Sequence, residues 1–593
     1  MRKGSKWAVM LVALAALTLI AAGCGGSSNK SSSSGGSNAT TVPANAKKGG
    51  DVSFLAAGDV DYLDPGQTYY TFGYMVLYST NRTLYSFKPT DSTHPVPDLA
   101  TGPPEISADN KTVTVHIRPG IKYSPPLQNQ TVKTADIKYA FERAFTKQVP
   151  SGYAGTYFGS LVGAPSTPNT GSYKPISGIE TPNDTTIIFH LKTPDAVNVS
   201  QALVMPITVP VPKSYAFKFD QKTPSTYDQH VVFTGPYMVK NDASGKLIGR
   251  TPGKEIDLIR NPSWDASTDY RPGYLNSITI KEGNDDLTVA SRRTLSGANL
   301  LCCDAGQLPP PVLKSALNRN KSQIAFIPSG GTRWIAMNTT IPPFNNINVR
   351  KAVIAAFDRN ALLLTRGGKT VGDLANGYIP PGIPGFNESG GLTQNTDLDF
   401  MKYPSGNLQL AESYMKKAGY PSGKYTGGQK FLTIATNADP GVKTAQVAQA
   451  QFAKLGFTLN FREVPQDTLY TKFCGVPKQK VVICPNVGWF KDYTDPESML
   501  KATFDGNSIL QQGNVNWSQL NDQAINSEMD KAALLPVGSS RNQAWAKINH
   551  MIAADAPGIP YIWDKTVVAS SSNINQVTNG YYTTQDLNFT SVK

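Results

Sequence analysis

Polar and apolar residues alternate over 51–55 and again over 111–117, the two-residue period of a strand with one buried face. Residues 185–191, 277–281, 431–434, 458–461 and 559–562 read as further strands. Helical spacing replaces alternation at 74–79, 134–141, 349–364, 408–418, 444–455 and 544–554. Thr134 stands where a capping residue belongs. Over 349–364, Val349, Val353, Ala356 and Leu363 share one face, which predicts a single amphipathic helix. The segments 408–418 and 444–455 each run into a glycine, Gly419 and Gly456, as helix ends do. Strand 431–434, helix 444–455 and strand 458–461 together predict a βαβ unit. Asp64-Pro65-Gly66 predicts a turn. The whole reads as mixed α/β with Pro- and Gly-rich loops and no internal repeat.

The amino end follows a different pattern. Arg2, Lys3 and Lys6 precede an apolar run over 7–22, closed by Gly23 and Cys24. A charged head, a short apolar core and small residues before a cut site describe an export signal over 1–23. The run falls short of the roughly 20 apolar residues that cross a bilayer. Ala21-Ala22-Gly23-Cys24 resembles a lipobox, with Ala21 where leucine is usual. That resemblance implies cleavage before Cys24, a diacylglycerol on its thiol and anchorage to the outer face of the cell membrane. A plain secretory signal with an incidental cysteine is the competing reading. Gly, Ser, Asn, Thr and Ala dominate 25–46, too little apolar surface to order itself, so 24–48 is expected to be a flexible tether.

At 593 residues the chain exceeds what one core usually serves. Hydrophobic residues make up 40% and charged residues 17%, an ordinary globular composition. The net charge of +13 is scattered and accompanies no nucleic-acid motif, so nucleic acid is not an expected partner. Of the five cysteines, Cys302, Cys303, Cys474 and Cys484 remain once Cys24 is assigned to lipid. Cys474 and Cys484 flank a segment that could be a hairpin, which favours a disulfide between them, while the connectivity of Cys302 and Cys303 stays open. Without a Cys-x-x-Cys pair, and with His94, His116, His190, His230 and His550 spread apart, no metal site or cofactor is expected. A secreted hydrolase is the alternative of a different class. It calls for a Gly-x-Ser-x-Gly elbow or a His-rich metal motif, and the sequence has neither.

Stretches along the mature chain, in order, resemble the family 5 extracellular solute-binding proteins, the oligopeptide, dipeptide and nickel binders of ABC importers. They are Leu63-Asp64-Pro65, Leu84-Tyr85, Pro97-Asp98-Leu99-Ala100, Arg118-Pro119-Gly120-Ile121-Lys122-Tyr123, Thr134-Ala135-Asp136 with Glu142-Arg143, Gly235-Pro236-Tyr237 and Arg260-Asn261-Pro262. Beyond these come Val349-Arg350-Lys351-Ala352-Val353 with Asp358-Arg359, the turn at 414–423, Trp489 to Pro496, and Ala556-Pro557-Gly558-Ile559-Pro560. Ser124-Pro125-Pro126-Leu127 departs from the family's usual turn.

The resemblance implies a two-lobed, hinged, periplasmic-binding-protein-like α/β fold with an extra third domain. Lobe I would comprise 49–90, 206–330 and 566–593, the extra domain 91–205, and the far lobe 331–565. Ligand would sit in the interlobe cleft, and an importer permease would receive it from a monomeric, non-enzymatic receptor. Asp492 takes the place of the acid that pairs with a peptide's α-ammonium, with Trp489 as a wall and the Gly488–Trp489 backbone as a hydrogen-bonding edge. Tyr69, Tyr70 and Phe72 would supply the opposite wall, and Lys443 a clamp for a carboxylate. The competing readings are Asp492 as a turn cap, the aromatics as core and Lys443 as a solvated surface residue. A peptide leads as ligand; a nickel chelate, a sugar oligomer or another amine-bearing solute are the alternatives.

Overall fold

Strands form where apolar alternation lets one face be buried. In Ser277–Lys281, Ile278 and Ile280 are fully buried while Lys281 is exposed. Asp51–Leu55 lies parallel to it, with Phe54 opposite Ile280, and parallel to Leu300–Cys302 on its other side. These strands belong to a computed structural model that describes residues 41–304, 307–328 and 330–593. The export signal, Cys24 and the tether up to residue 40 lie outside the described residues.

One mixed sheet runs through both lobes. Its order is Thr458–Val464, Lys430–Thr436, Ile483–Phe490, Gly331–Met337, Gly558–Ser570, Leu300–Cys302, Asp51–Leu55, Ser277–Lys281, Glu255–Arg260 and Tyr237–Val239. The 13-residue strand Gly558–Ser570 is the crossing point. Its first half pairs with Gly331–Met337, Ile559 opposite Ile335. Its second half pairs with Ile324–Pro328, Val567 opposite Phe326, and with Leu300–Cys302. Separate apolar cores flank the crossing. Phe54, Val76, Ile278 and Tyr581 lie in the first; Ile335, Val353 and Phe452 in another; and Trp334, Leu500 and Trp545 in a third beside it. A four-stranded antiparallel sheet, Glu105–Ile106, Thr112–His116, Thr186–His190 and Ile179–Asn183, shares the first core through Val113 and Phe189, joined there by Phe141 of helix Thr134–Arg143.

The βαβ unit forms as its periodicity requires. Lys430–Thr436 and Thr458–Val464 are parallel neighbours joined by helix Gly441–Lys454. That helix buries Ala445, Ala448 and Phe452 on one face, and Gly456 ends it at φ +83. Burying a side chain the size of Phe452 contributes about 1.5–3 kcal/mol.

Three local expectations need correcting. The segment 349–364 is two helices, Ile347–Ala356 and Arg359–Thr365. Asp358 breaks it: its carboxylate accepts the Ala361 N–H at 2.9 Å and starts a new helix. The break sends Phe357 into the core against Phe452 and lets buried Arg359 donate to the carbonyls of Ala375 and Met401. Thr134 is the first helical residue rather than the cap; its hydroxyl donates to the Asn183 carbonyl at 2.6 Å, and Asp136 reaches back to the Lys133 N–H. Residues 475–483 form no hairpin, because a short 3-10 turn, Pro477–Gln479, fills the interval before strand Ile483–Phe490. Cys474 and Cys484 are disulfide-bonded with Cα atoms 6.3 Å apart, and Cys302 is bonded to Cys303.

Candidate functional site: a buried carboxylate where the lobes meet

Strand Ile483–Phe490 ends at a loop held from behind. Asp495 caps the next helix, Pro496–Phe504, accepting the Glu497 N–H at 2.9 Å, and proline occupies that helix's first position. Arg541, with no exposed side-chain surface, forks onto both Asp495 oxygens at 2.9 Å and onto Glu497 at 2.7 Å. The Ser498 hydroxyl donates to the Tyr493 carbonyl at 2.7 Å. These bonds fix the loop that carries Asp492.

The opposite wall comes from the turn after Asp64. The Asp64 carboxylate accepts both Arg143 Nη groups, at 2.6 and 2.8 Å, and Arg143 also pairs with Asp220. Asp61 accepts the backbone N–H groups of Tyr62 and Tyr69 and the hydroxyl of Thr68, at 2.8, 2.6 and 2.7 Å. Tyr69 is thereby fixed by its own backbone. Its ring stands 4.8 Å from Tyr153 and edge-on to Trp489 at 5.4 Å.

Asp492 lies between these walls, 5% exposed. Its Oδ2 accepts the Tyr69 hydroxyl at 2.8 Å and that of Tyr157, and Tyr581 donates to its backbone carbonyl. Among the described residues no cation pairs with it. Burial pushes its carboxyl up to about 7, with the phenol hydroxyls drawing it partly back. The neighbouring Lys491 is half-buried, donates to the Gly580 carbonyl at 3.0 Å and is pushed down to about 8 by desolvation. An acid so placed can receive a ligand cation, and the phenols supply aromatic surface around it.

Residues 94–511 match the family described as Bacterial extracellular solute-binding proteins, family 5 Middle. The chain belongs to this family. Over 473 residues, 79% of either chain, it is 23% identical to the periplasmic oligopeptide-binding protein OppA of Escherichia coli. It is 25% identical over 476 residues, 77% of either chain, to heme-binding protein A of Haemophilus influenzae. The solved structure of clavulanic acid biosynthesis oligopeptide binding protein 2 superposes with a TM-score of 0.75 at 25% identity, covering 92% of this chain and 96% of that one. The two-lobed fold and the role of an extracytoplasmic solute-binding protein follow from this membership.

This solute-binding protein brings together some of the expected residues and separates others. Asp492, Tyr69 and Trp489 are neighbours; the Trp489 indole N–H donates to the Ser498 carbonyl at 2.7 Å, which fixes its ring. Gly488 sits opposite Arg333 in the sheet. Tyr70 is half-buried against the first core, and its hydroxyl is not among those bonded to Asp492. Phe72 is core, 2% exposed and 5.7 Å from Phe54. Lys443, expected as a clamp for a ligand carboxylate, lies on a helix with its side chain 59% exposed and pairs with Asp439 at 2.7 Å. Tyr157 and Tyr581, 335 and 89 residues from Asp492, were not anticipated, and no spacing signal marks them. Two cavities, of about 150 Å3 beside Arg82 and Trp264 and about 340 Å3 beside Arg292 and Arg319, share no lining residue with this cluster.

Proposed function

We propose that this family 5 protein captures a short peptide, or a similar amine-bearing solute, between its lobes and delivers it to the permease of an ABC importer. In this reading it acts as a monomer, anchored outside the membrane through a lipid on Cys24, and makes or breaks no bond in its cargo. The observation that carries the reading is Asp492, a buried carboxylate flanked by phenols with no cation to answer it among the described residues. An ion of that kind is costly to bury unpaired. A ligand ammonium placed between Tyr69 and Tyr157 offsets the cost, and a charge-assisted hydrogen bond contributes about 1.5–3 kcal/mol net.

The backbone supports the same cargo. Strand Ile483–Phe490 pairs with Lys430–Thr436 only at Ile483 opposite Thr433, and although Gln466 and Tyr470 donate to the Asn486 carbonyl, the outer edge of 487–490 pairs with no described strand. An extended peptide can add to such an edge through main-chain hydrogen bonds. Calorimetric titration with trialanine and N-acetyl-trialanine tests the assignment. Trialanine is expected to bind at least tenfold more tightly than its acetylated form, and Asp492→Asn to remove the difference, by roughly the 1.4 kcal/mol that a factor of ten represents. Equal affinities for both peptides would take Asp492 out of the site.

A further inference from the structure

Two neighbouring helices gather positive charge onto one face. Leu287–Ser296 and Pro310–Arg319 carry Arg292, Arg293, Lys314 and Arg319, and Lys321 follows closely. All five are exposed, and among the described residues none of them is in an ion pair. Over 287–323 the single carboxylate is Asp304. It accepts the Ala57 N–H at 2.7 Å and the Gly58 N–H at 3.2 Å, beyond the carboxyl end of strand Asp51–Leu55. The five cations therefore face solvent with no acid of their own segment beside them. Between the helices lies the groove of about 340 Å3. Arg292 and Arg319 line it from opposite helices, over buried Val312 and Ala316. Val289, 50% exposed, lies one turn before Arg292 and Arg293 on the same outward face.

The topology fixes where this face sits. Strands Ser277–Lys281, Asp51–Leu55 and Leu300–Cys302 are parallel. Helix Leu287–Ser296 carries the chain from the first to the last of them, so it runs back along the sheet and ends where those strands begin. The Ser53 N–H donates to the Asn299 carbonyl at 2.9 Å, just past the helix. The second helix ends on the same side, since the Gln323 amide donates to the Leu295 carbonyl at 3.0 Å. The residues ahead of Thr41 join the fold at this end too. The chain arrives through exposed Lys47 and Lys48, and the Gly49 N–H donates to the Tyr274 carbonyl at 2.8 Å. A lipid on Cys24 would thus pull this end of the sheet, rather than the cleft end, toward the membrane.

We propose that the basic face docks on anionic headgroups of the membrane that anchors the protein, with Arg292 and Arg319 sharing a lipid phosphate across the groove. This rests on the anchored reading above. Guanidinium forks match phosphate oxygens in geometry and charge. The apolar floor suits the glycerol and first methylenes behind the phosphate, and exposed Val289 suits the headgroup boundary. Each basic side chain held at such a surface contributes about fivefold to residence there. The groove shares no lining residue with the Asp492 cluster, so lipid contact and cargo capture do not compete.

The test mixes the full lipidated chain with vesicles of phosphatidylcholine, alone or with phosphatidylglycerol. Arginines are modified with phenylglyoxal and lysines with an amine-reactive ester, and each rate is read by peptide mass spectrometry. Exposed Arg462 and Lys416, on the other lobe, serve as references. With phosphatidylglycerol the rates at Arg292, Arg319 and Lys314 are expected to fall at least about fivefold against the references. Salt of about 1 M, where the screening length shrinks to roughly 3 Å, is expected to restore them. Arg292→Gln combined with Arg319→Gln should return Lys314 toward its phosphatidylcholine rate, with circular dichroism as the check on folding. The measurement on the unaltered protein does not depend on that variant. Equal rates in both vesicles, or a fall shared by the references, would overturn the proposal. Protection that needs an importer would also overturn it and give the face to an acidic protein partner. A chain that washes off phosphatidylcholine vesicles would remove the anchored reading alone, because labelling beside phosphatidylglycerol vesicles still reads the face.

Discussion

Asp492 titrates in a range where a solute-binding protein can sense it. Its carboxyl stands near 7 against an ordinary 3.8, with burial as the main cause. The sign follows from linkage: an acid raised on folding stabilises the fold below pH 3.8, and that contribution is lost as pH rises through 7. Binding a cation works in the opposite direction, because only the ionised carboxylate answers an ammonium. Affinity for trialanine should therefore rise up to tenfold per unit between pH 5.5 and 7 and level off above, with proton release on binding near pH 6. Titrations in buffers of different ionisation enthalpy measure both quantities, and Asp492→Asn should flatten the profile. A profile already flat in the unaltered protein would place the titrating group elsewhere. The loop pattern around Asp492 was readable in the sequence because its residues are consecutive. Tyr157 and Tyr581 were not, because the contacts that place them close over long stretches of chain.

At the scale of elements, periodicity located strands and helices well and capping chemistry poorly. The segment 349–364 keeps an apolar face throughout, so period alone predicts continuity. A side-chain bond from Asp358 to the Ala361 N–H outweighs it. The signal was present, since aspartate begins helices readily, but an aspartate inside a helical period reads equally as a surface residue. Asp358→Ala should cost about 1 kcal/mol of stability, seen as a lowered midpoint in chemical denaturation, with trialanine affinity unchanged. An unaltered midpoint would mean that the break at Phe357 is held by packing alone. The βαβ unit was legible because both of its periods and its closing glycine agree, and nothing local competes with them.

Across the whole molecule, contact between the lobes passes through Asn198 as well as Asp492. Asn198 lies on helix Ala196–Ala202, whose Val197 N–H donates to Asn110 beside the four-stranded sheet. Its Oδ1 accepts Arg541 at 2.7 Å, and its Nδ2 donates to the Ala533 carbonyl at 2.7 Å. Arg541 in turn holds Asp495 and Glu497, behind the Asp492 loop. Asn198→Ala should therefore speed trialanine release about tenfold or more, as loss of a charge-assisted bond implies, and enlarge the radius of gyration of the loaded protein in solution scattering. Unchanged release would confine Asn198 to static packing. The two-lobed plan was readable from the succession of family-like stretches, whereas the partners of Asn198 follow from tertiary placement alone.

The strand Gly558–Ser570 belongs to both halves of the sheet. Any rotation of one lobe against the other must wind or unwind it, so it behaves as a torsion rod rather than a loose string. Asp564 sits near the middle of that rod, and its Oδ2 receives both Arg333 and Gln307. A change of pairing at Asp564 would therefore be felt by both halves of the sheet at once.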